Sequence, residues 1–405
     1  MDALDILTDL DNVVPFFQPI FSADEHRVIG YEILGRYRKT EGEYISLGPF
    51  FHDDSIPEEY RLEVDNTVLR KALNLCLSLE KDELIFVNRD ADLLMHGDGE
   101  IFLELLQDFQ EKGIQISRIV LEISERNYKG DIGQLDNLLN YYRTYGLKIA
   151  IDKMGNDSSH LDRIARLEPN LLKIDLMSMR SNNNAAALQD ILYSISMLAR
   201  KLGATLLFEN IEMEYQLQFA WKNGGRYYQG YYLQVPQPEF VHRDVQKNYL
   251  KDKFHKFIAH EKKKLETVHK LTESFQIKLV DLLNKYKKYL NYEELLVCLG
   301  KDLDHAAFRM YICDEDGFQE SANIFKSQED WIIQPEYVDK NWSWRSYFLE
   351  NIFKMRYEKK GILSDLYSDI ETGETIRTFS YPLSSKHYLF IDLSYGFLYE
   401  NDGLL

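Results

Sequence analysis

The chain has 405 residues, 45% hydrophobic residues and a formal net charge of −18. This length is sufficient for two domains, or for one large barrel and a smaller second domain. The strongly negative charge argues against broad binding to nucleic-acid phosphates, so we expect no DNA partner, although a small anionic ligand can bind in a locally positive pocket.

The cysteine pattern and the N-terminal segment bear on the compartment. Cys76, Cys298 and Cys313 are widely spaced and form neither a zinc-ligand nor a disulfide pattern, which fits a reducing cytoplasm. The first ten residues, MDALDILTDL, lack the basic and apolar regions of a signal peptide, and no run reaches 18 uncharged apolar residues. We therefore expect a cytoplasmic protein without a membrane span.

The chain opens with two strand-like segments. Residues 15–21 and 28–36 flank a turn signal at 23–26, which predicts an antiparallel hairpin. Residues 57–79 then carry apolar side chains mostly at three- and four-residue spacing after Pro57, which predicts an amphipathic helix.

Short apolar strands alternate with amphipathic helices from residue 84 onward. The predicted strands are 84–88, 118–123, 147–152, 171–175, 204–209 and 226–233. The predicted helices are 99–113, 131–145, 158–167, 185–202 and 212–223. This repeat predicts a TIM-like (β/α)8 barrel in the α/β class, with one antiparallel strand contributed by the opening hairpin. An open doubly wound sheet is the competing architecture, but the chain lacks a Gly-x-Gly-x-x-Gly turn.

Two prolines, Pro236 and Pro238, end the alternation, so we assign residues 1–240 to the barrel domain. Residues 241–290 contain neither Pro nor Gly and repeat apolar residues at helical spacing, which predicts one long connecting helix. Its apolar face needs a partner, which is either the second domain or the same helix in another subunit.

Residues 291–405 form a region of different character. Aromatic residues are dense, and strand-like runs at 306–313, 376–383 and 386–393 are separated by Gly-containing turns. We predict a smaller α+β domain built on an antiparallel sheet.

Polar residues stand at the ends of the predicted barrel strands. They are Gln18, Glu32, Asn88, Glu122, Asp152, Lys173, Asp175, Glu209 and Gln229. In a barrel these residues would lie near the C-terminal mouth, where barrel enzymes place their sites. Together, Glu32, Asn88, Glu122 and Asp152 make a ligand set of oxygens alone. Such a set suits Mg²⁺, Mn²⁺ or Ca²⁺ rather than zinc. A single strand-end acid can equally be a cap or a surface residue, but four in register favour a cation site.

Residues 10–240 resemble the EAL domain, the family of cyclic di-GMP phosphodiesterases and their inactive relatives. The motifs that carry the resemblance are Gln18-Pro19-Ile20, Glu32-Ile33-Leu34 followed by Arg36, Val87-Asn88, Leu121-Glu122-Ile123-Ser124-Glu125, Ile149-Ala150-Ile151-Asp152, Leu172-Lys173-Ile174-Asp175, Phe208-Glu209-Asn210-Ile211-Glu212 and Gln229-Gly230-Tyr231-Tyr232. The alanine of the family's naming motif is replaced by Ile33.

The resemblance implies roles for these residues. Glu32, Asn88, Glu122 and Asp152 would hold a divalent cation against a phosphate oxygen of cyclic di-GMP. The ligand-binding residues that it implies are Gln18, Glu32, Leu34, Arg36, Lys173, Asp175 and Gln229. The catalytic residues that it implies, around the attacking water, are Lys173, Glu209 and Gln229. In a protein with little activity their catalytic role would be vestigial. Arg36 would contact a phosphate through its planar fork of donors, a surface salt bridge being the alternative, and Glu125 would brace the loop after Asp152.

One position departs from the pattern of active family members. They carry a second aspartate directly after the first, where this chain has Lys153. An ammonium there would repel a second cation at about 4 Å by roughly 4 kcal/mol at an intermediate dielectric, in addition to the lost ligand. We therefore expect a cyclic di-GMP binding protein, a receptor or regulatory component with little or no hydrolytic activity.

Two alternatives remain open. The first is an active phosphodiesterase that yields linear pGpG under control of the C-terminal domain. It requires that Lys153 turns toward solvent or that Asp157 supplies the missing ligand. The second and weaker alternative is a scaffold that has lost the ligand as well. The retention of Glu32, Arg36 and Lys173 argues against it.

The region from about residue 300 resembles Cache and PAS-like sensor domains. This resemblance nominates Trp344, Arg345, Tyr367 and Asp392 for a small-molecule pocket, and a folded aromatic core without a ligand is the alternative. The expected partners of the whole chain are cyclic di-GMP, a second copy of the chain and a downstream signalling protein.

Overall fold

The computed structural model describes residues 3–40, 42–95, 99–124, 128–154, 161–177, 185–286, 291–327, 330–345 and 348–401. Internal contacts divide the chain into two compact units, Met1–His255 and Lys256–Leu405. The first unit is an α/β barrel, and the second is built on an antiparallel sheet.

The strands of the first unit close into a barrel. They are β1 Val13–Ser22, β2 Val28–Thr40, β3 Glu43–Ser46, β4 Leu84–Asn88, β5 Ile119–Ile123, β6 Lys148–Met154, β7 Leu171–Asp175, β8 Thr205–Glu209 and β9 Tyr227–Tyr228. The barrel order is β1-β2-β4-β5-β6-β7-β8-β9 and back to β1, and β3 extends β2 outside the barrel. β1 is antiparallel to both neighbours, whereas the other barrel neighbours are parallel. The predicted TIM-like barrel with one antiparallel strand is confirmed.

The α-helices that precede or separate the barrel strands are α1 Ala3–Thr8, α2 Gly48–Phe51, α3 Glu58–Cys76, α4 Ala91–Leu94, α5 Glu100–Glu111, α6 Ile132–Thr144, α7 Leu161–Leu167, α8 Ala185–Leu202 and α9 Glu214–Lys222. Helix α1 precedes the first strand, and the others lie between later strands. α3 begins directly after Pro57 and has Glu58 and Glu59 in its first turn, where acidic side chains favour a helix start. The carboxylate of Asp131 caps α6 by accepting a hydrogen bond from Gly133 N at 3.0 Å.

A buried apolar layer directs the strand-end residues toward one mouth of the barrel. It consists of Ile20, Ile29, Phe86, Val120, Ala150, Leu171 and Leu207, each from a different strand. Side chains along a strand alternate between two faces, so residues two apart share a face. Asn88, Glu122, Asp152, Lys173 and Glu209 each lie two residues after a member of this layer. The apolar layer therefore fills the barrel interior below them and leaves them at its C-terminal end.

The last barrel strand is shorter than the predicted 226–233. Only Tyr227–Tyr228 is extended, and the chain then turns at Gly230, whose φ is +157°. A side chain at Gly230 would place its Cβ 2.1 Å from Ile211 O. Gln229 O accepts from Ile211 N at 3.1 Å, and Ile211 O accepts from Tyr232 N at 3.0 Å. The chain thus bonds to the loop after β8 instead of continuing as a strand.

A long helix, α10 (Lys247–Lys285), follows the barrel. It is shorter than the predicted 241–290, because Arg243 is bound to the barrel: its carbonyl accepts from Val28 N at 2.9 Å, and its guanidinium donates to Asp82 at 2.6 Å. Residues 287–290 lie outside the described residues. No helix in the described part of the chain has the length and apolar character that a membrane crossing requires.

Among its described residues, the second unit contains seven strands and three α-helices besides α10. The strands are β10 Ala307–Asp314, β11 Asn323–Ser327, β12 Asp330–Gln334, β13 Ile362–Leu363, β14 Tyr367–Ser368, β15 Thr375–Pro382 and β16 His387–Leu393, and the helices are α11 Tyr292–Asp302, α12 Phe348–Glu358 and α13 Tyr395–Glu400. All pairings are antiparallel, in the order β12-β11-β10-β16-β15-β13 with β14 on β15. Residues of α10, α11 and α13 share one apolar cluster with the sheet, and residues of α12 share the other. A separate, smaller domain on an antiparallel sheet is thus confirmed.

Candidate functional site

A cavity of about 410 Å³ lies at the C-terminal ends of the barrel strands. The predicted residues that line it are Glu32, Leu34, Arg36, Asn88, Glu122, Asp152, Asp175 and Glu209. Lys173 and Gln229 reach this group through hydrogen bonds to Glu32, at 3.1 and 2.6 Å. Gln18 is buried and stands opposite Glu32 in the β1–β2 register. The structure therefore brings the predicted residues together at one end of the barrel.

Lys173 occupies the centre of the carboxylates. Its Nζ lies 2.8 Å from Glu122 Oε2, 3.1 Å from Glu32 Oε2 and 3.2 Å from Glu209 Oε2. Asp152 Oδ1 is farther away, at 3.8 Å. Lys173 is only 1% exposed, and a buried ammonium is stable only when paired charges replace its hydration. Here four carboxylates surround a single ammonium, so the cluster has an excess of negative charge.

Two side-chain amides complete the hydrogen bonding of Glu32. Asn88 Nδ2 donates to Glu32 Oε1 at 2.6 Å, and Gln229 Nε2 donates to Glu32 Oε2 at 2.6 Å. Lys173 also donates to Oε2. Glu32 is therefore held in one orientation by residues from three other strands or strand ends.

Three acceptor oxygens of the site have no hydrogen-bond partner among the described residues. They are Glu122 Oε1, Asp152 Oδ1 and Gln229 Oε1, and all three are buried. Leaving a buried acceptor unbonded costs free energy, and native structures contain few such atoms. These oxygens mark the place where a positively charged or hydrogen-bond-donating group fits.

The excess of carboxylates shifts the pKa values within the cluster. Burial by itself would lower the pKa of Lys173, but the carboxylates of Glu122, Glu209 and Glu32 raise it well above its ordinary value. Burial, with the nearby Glu32 carboxylate, raises the pKa of Glu122 well above its usual range. Burial raises the pKa of Glu209 to about 8 against the opposing effect of Lys173. Burial also acts on Glu32, but Lys173 and the two amides outweigh it and lower that pKa.

These shifts and the donor chemistry fit a divalent cation. Within the described ranges, no group of three or more His, Cys, Asp and Glu side chains has a metal-binding arrangement. The three unbonded buried oxygens and the surplus of carboxylates nevertheless match the needs of a hard cation, which binds oxygen ligands and displaces protons from them.

Arg36 and Leu34 form a different part of the cavity wall. Arg36 is half-buried, its Nη1 donates to Gly35 O at 2.9 Å, and its Cζ lies 5.7 Å from the centroid of the Phe16 ring. The Arg36 guanidinium has further N–H donors besides the one that contacts Gly35 O. Such donors match the oxygens of a phosphate.

Several residues that line the cavity are not among those predicted from the sequence. They include Phe51, His52, Asp65, Met177 and Asn210. Asn210 donates to Asp175 Oδ1 at 2.8 Å and adopts a φ of +58°. It stands directly after Glu209 in a motif that the sequence already displayed, so it was identifiable. Phe51, His52 and Asp65 come from the helical segment after β3, where no strand-end pattern indicates a site.

The position after Asp152 lies at an irregular part of β6. Pairing of β6 with β7 shifts register between Ile151 and Met154. The side chain of Lys153 lies outside the described residues, and so do Asp157 and Glu125. The interpretation of Lys153 therefore depends on its identity and on its place in the chain directly after Asp152.

Comparisons of sequence identify related proteins for both units. Residues 2–236 match the EAL domain, and residues 240–405 match the EAL-domain associated signalling protein domain. The uncharacterized EAL-domain containing protein YkuI of Bacillus subtilis is 55% identical over 407 residues, which covers 100% of both chains. The probable cyclic di-GMP phosphodiesterase PdeG of Escherichia coli is 28% identical over 231 residues, which covers 55% of this chain and 44% of PdeG. This chain thus matches less than half of that phosphodiesterase.

Solved structures show the same relationship. The crystal structure of Bacillus subtilis YkuI in complex with substrate c-di-GMP and calcium matches with a TM-score of 0.96 at 55% identity and covers 100% of both chains. The FimX EAL domain of Pseudomonas aeruginosa bound to c-di-GMP matches with a TM-score of 0.52 at 23% identity and covers 60% of this chain and 100% of that chain. The second likeness concerns the fold alone.

Proposed function

Because the chain belongs to the EAL-domain family, we propose that it binds cyclic di-GMP together with a divalent cation and hydrolyses it slowly or not at all. The observation that carries the proposal is the group of unbonded buried oxygens, Glu122 Oε1, Asp152 Oδ1 and Gln229 Oε1, beside the 410 Å³ cavity. The relative YkuI, whose crystal structure holds c-di-GMP and calcium, supports the same class of ligand.

Within this proposal, four residues would hold the cation: Glu32, Asn88, Glu122 and Asp152. When bound, the cation would offset the surplus carboxylate charge and the charge of a phosphate. Burial raises the pKa of Glu122 well above its usual range, and the Glu209 carboxyl, with a pKa of about 8, holds a proton at neutral pH when no cation is bound. Cation binding should therefore release protons.

The dinucleotide would occupy the cavity beside the cation. The residues proposed to contact it are Gln18, Glu32, Leu34, Arg36, Lys173, Asp175 and Gln229. Arg36 supplies a planar set of donors for a phosphate, and Leu34 supplies apolar surface on the same wall. Asp175 is oriented by Met177 N and Asn210 Nδ2, both at 2.8 Å from its Oδ1. The cavity thus combines fixed polar groups with apolar surface, as small-molecule sites do.

Little hydrolysis is proposed because of Lys153. Efficient phosphodiester cleavage by two cations needs a second metal ligand near the first, and a protonated lysine supplies none. Its charge also opposes a second cation, by about 4 kcal/mol at 4 Å and an intermediate dielectric. Lys173, Glu209 and Gln229, which would surround the attacking water in an active enzyme, would then serve mainly to hold the ligand.

A second candidate function is an active phosphodiesterase that yields pGpG and is regulated by the C-terminal domain. Glu209 favours it, because a carboxyl with a pKa of about 8 can exchange a proton near neutral pH, and its Oε2 lies 3.2 Å from Lys173 Nζ. In this function Lys153 would leave the site and Asp157 would supply a ligand.

Two measurements on the full chain test these functions. Calorimetric titration with cyclic di-GMP in CaCl2 should show heat that EDTA abolishes, and no heat at tens of micromolar protein would contradict binding. Incubation with cyclic di-GMP and Mg²⁺ or Mn²⁺, followed by chromatography for pGpG, separates receptor from enzyme. Turnover near 1 s⁻¹, a usual enzyme rate, would replace the first function by the second.

We also propose how the chain is organised and where it acts. It would have a barrel domain over 1–240, a connecting helix within 241–290 and a PAS-like domain over 291–405, and it would work as a cytoplasmic homodimer that signals to a downstream protein. The free thiols of all three cysteines fit a reducing compartment. Light scattering tests the dimer: twice the chain mass of 47.8 kDa is expected, and a single chain mass would contradict it.

A further inference from the structure

The first turns of α10 support the segment that carries Gln229. Helix α10 begins at Lys247, and its residues up to His255 belong to the barrel unit. Phe254 is buried, and the centroid of its ring lies 5.8 Å from that of Tyr228. Since Tyr228 directly precedes Gln229 in the chain, this aromatic contact supports the backbone that places the Gln229 amide.

Polar contacts connect α10 to the segment that follows Gln229 and to the segment that follows Glu209. Tyr249 OH donates to Tyr232 OH at 2.5 Å, and Tyr232 OH donates to Glu214 Oε2 at 3.5 Å. Lys253 Nζ forms an ion pair with the same oxygen of Glu214. Tyr232 follows Gln229 by three residues, and Glu214 follows Glu209 by five. Tyr249 and Lys253 of α10 thus contact the two segments that follow Gln229 and Glu209.

The turn between Tyr232 and Gln229 is stiff. Its centre is Gly230, which lies against Ile211, and backbone hydrogen bonds fix both Gln229 and Tyr232 to that residue at 3.1 and 3.0 Å. A shift of Tyr232 is therefore passed to Gln229 rather than absorbed by the turn. Gln229 in turn donates to Glu32 Oε2 at 2.6 Å, inside the carboxylate cluster.

We propose that Tyr249 is a positioning residue: through Tyr232 and Glu214 it places Gln229 and Glu209 and so sets the affinity for cyclic di-GMP. The inference rests on the proposed function. The residues of α10 that make these contacts, Tyr249, Lys253 and Phe254, all belong to the barrel unit.

The first test compares two hydroxyl deletions in the full chain. Tyr249→Phe removes the donor of the 2.5 Å contact, whereas Tyr215→Phe, the control, removes an exposed hydroxyl on α9 next to Glu214. In calorimetric titrations with cyclic di-GMP and CaCl2, we expect Tyr249→Phe to raise the Kd about fivefold, within the usual range of coupling between sites. Tyr215→Phe should stay within twofold of wild type.

The second test does not require the ligand. In protein labelled with ¹⁵N-glutamine, the side-chain amide signal of Gln229 is assigned by its loss in Gln229→Glu. Tyr249→Phe should shift this signal in the free protein, and Tyr215→Phe should leave it in place. A general loss of structure would instead move many glutamine signals and lower the melting temperature.

The outcomes separate the two proposals. An unmoved Gln229 amide, or a Kd within twofold of wild type for Tyr249→Phe, overturns the positioning role. If wild type gives no heat with cyclic di-GMP while the Gln229 amide still moves in Tyr249→Phe, the proposed ligand is wrong and the contact from α10 to Gln229 stands.

Discussion

In the described part of each unit, a buried basic side chain contacts at least three carboxylates, and the two clusters differ in how many of the carboxylate oxygens receive a hydrogen bond. In the barrel, Lys173 is 1% exposed and is surrounded by glutamates and an aspartate. In the second unit, Arg309 is 6% exposed and binds Asp369, Glu371 and Asp392 at 2.6, 3.0 and 2.6 Å.

All six carboxylate oxygens around Arg309 receive a hydrogen bond. The guanidinium donates to one or both oxygens of Asp369, Glu371 and Asp392. The remaining bonds come from the hydroxyls of Tyr337 and Thr378 and from the backbone N–H and hydroxyl of Thr372. Asp392, which sequence resemblance nominated for a sensor pocket, thus has both oxygens engaged.

In the barrel cluster, by contrast, some carboxylate oxygens receive no hydrogen bond from the described residues. Glu122 Oε1 and Asp152 Oδ1 have no hydrogen-bond donor in the described part of the chain, and a cavity lies beside them. A fully bonded ionic cluster stabilises one conformation, whereas a partly bonded one keeps acceptors for a ligand. From this comparison we infer that the Arg309 cluster stabilises the second unit and that the Lys173 cluster binds a ligand.

The largest expected effect is the loss of Arg309. Arg309→Met leaves the carboxylates of Asp369 and Asp392 buried without their cation, and breaking a buried ion pair in this way costs about 3–5 kcal/mol. The free energy of unfolding of the second unit should fall by that amount. Unfolding in guanidinium chloride, followed by tryptophan fluorescence, reports mainly on this unit, because it holds three of the four tryptophans, Trp331, Trp342 and Trp344. The exposed Lys354→Met is the control and should melt like wild type.

Removing Lys173 should lower the free energy of unfolding by less than removing Arg309, and a bound cation should restore it. In Lys173→Met we expect the barrel to lose about 2 kcal/mol, because the carboxyls beside the cavity can take up protons or water. Calcium should restore the melting temperature of Lys173→Met and leave that of Arg309→Met unchanged. Equal rescue of both variants, or of neither, would remove the distinction between the two clusters.

The residues of the Lys173 cluster could be predicted from the sequence, whereas those of the Arg309 cluster could not, and the reason is physical. In the barrel, parallel strands bring their C-terminal ends to one mouth, so polar residues at strand ends, such as Glu122 and Asp152, meet wherever they lie in the chain. Arg309 and Asp392 are 83 residues apart, and both lie within antiparallel strands, where a charged residue is usually exposed. Nothing local in the sequence indicates that they are partners.

Substitution at the position after Asp152 tests why hydrolysis is expected to be low. Lys153→Asp restores a carboxylate for a second cation, and the rate of pGpG formation in MnCl2 should rise about tenfold, equivalent to about 1.4 kcal/mol of barrier. Lys201→Asp, at an exposed position of α8, should keep the wild-type rate. An unchanged rate for Lys153→Asp would place the defect elsewhere in the loop.

The smallest expected effect is on pH dependence, and it too should separate the clusters. The Glu209 carboxyl, with a pKa of about 8, is protonated in the free barrel at pH 7. The charge of a calcium ion bound beside it should lower this pKa and release the proton, so the affinity for calcium should rise until about pH 8. Without a cation, the unfolded chain ionises Glu209 first, so its contribution to barrel stability falls as pH rises from about 4.5 to 8. Calcium titrations between pH 6 and 9 measure the first effect, and Glu209→Gln should flatten the profile.

The contribution of the Arg309 cluster to stability should not change between pH 6 and 9. Burial acts to raise the pKa of Asp369, but its hydrogen bond with Arg309 lowers it below the ordinary value. The resulting stability is fully present above about pH 4 and is lost only as pH falls through the lower folded pKa. A change in the melting temperature of the second unit between pH 6 and 9 that Asp369→Asn abolishes would contradict this assignment, because histidines elsewhere in the unit, such as His387 beside Glu320, remain in that variant.

The most direct test of the assignment is a count of cations in a crystal of the full chain soaked with cyclic di-GMP and MnCl2. Anomalous difference maps should show one manganese peak beside Glu122 Oε1 and Asp152 Oδ1, with a phosphate of the dinucleotide against it, and none at Arg309. Two manganese ions bridged at Asp152 would identify a working phosphodiesterase, and an empty barrel mouth would contradict the account altogether.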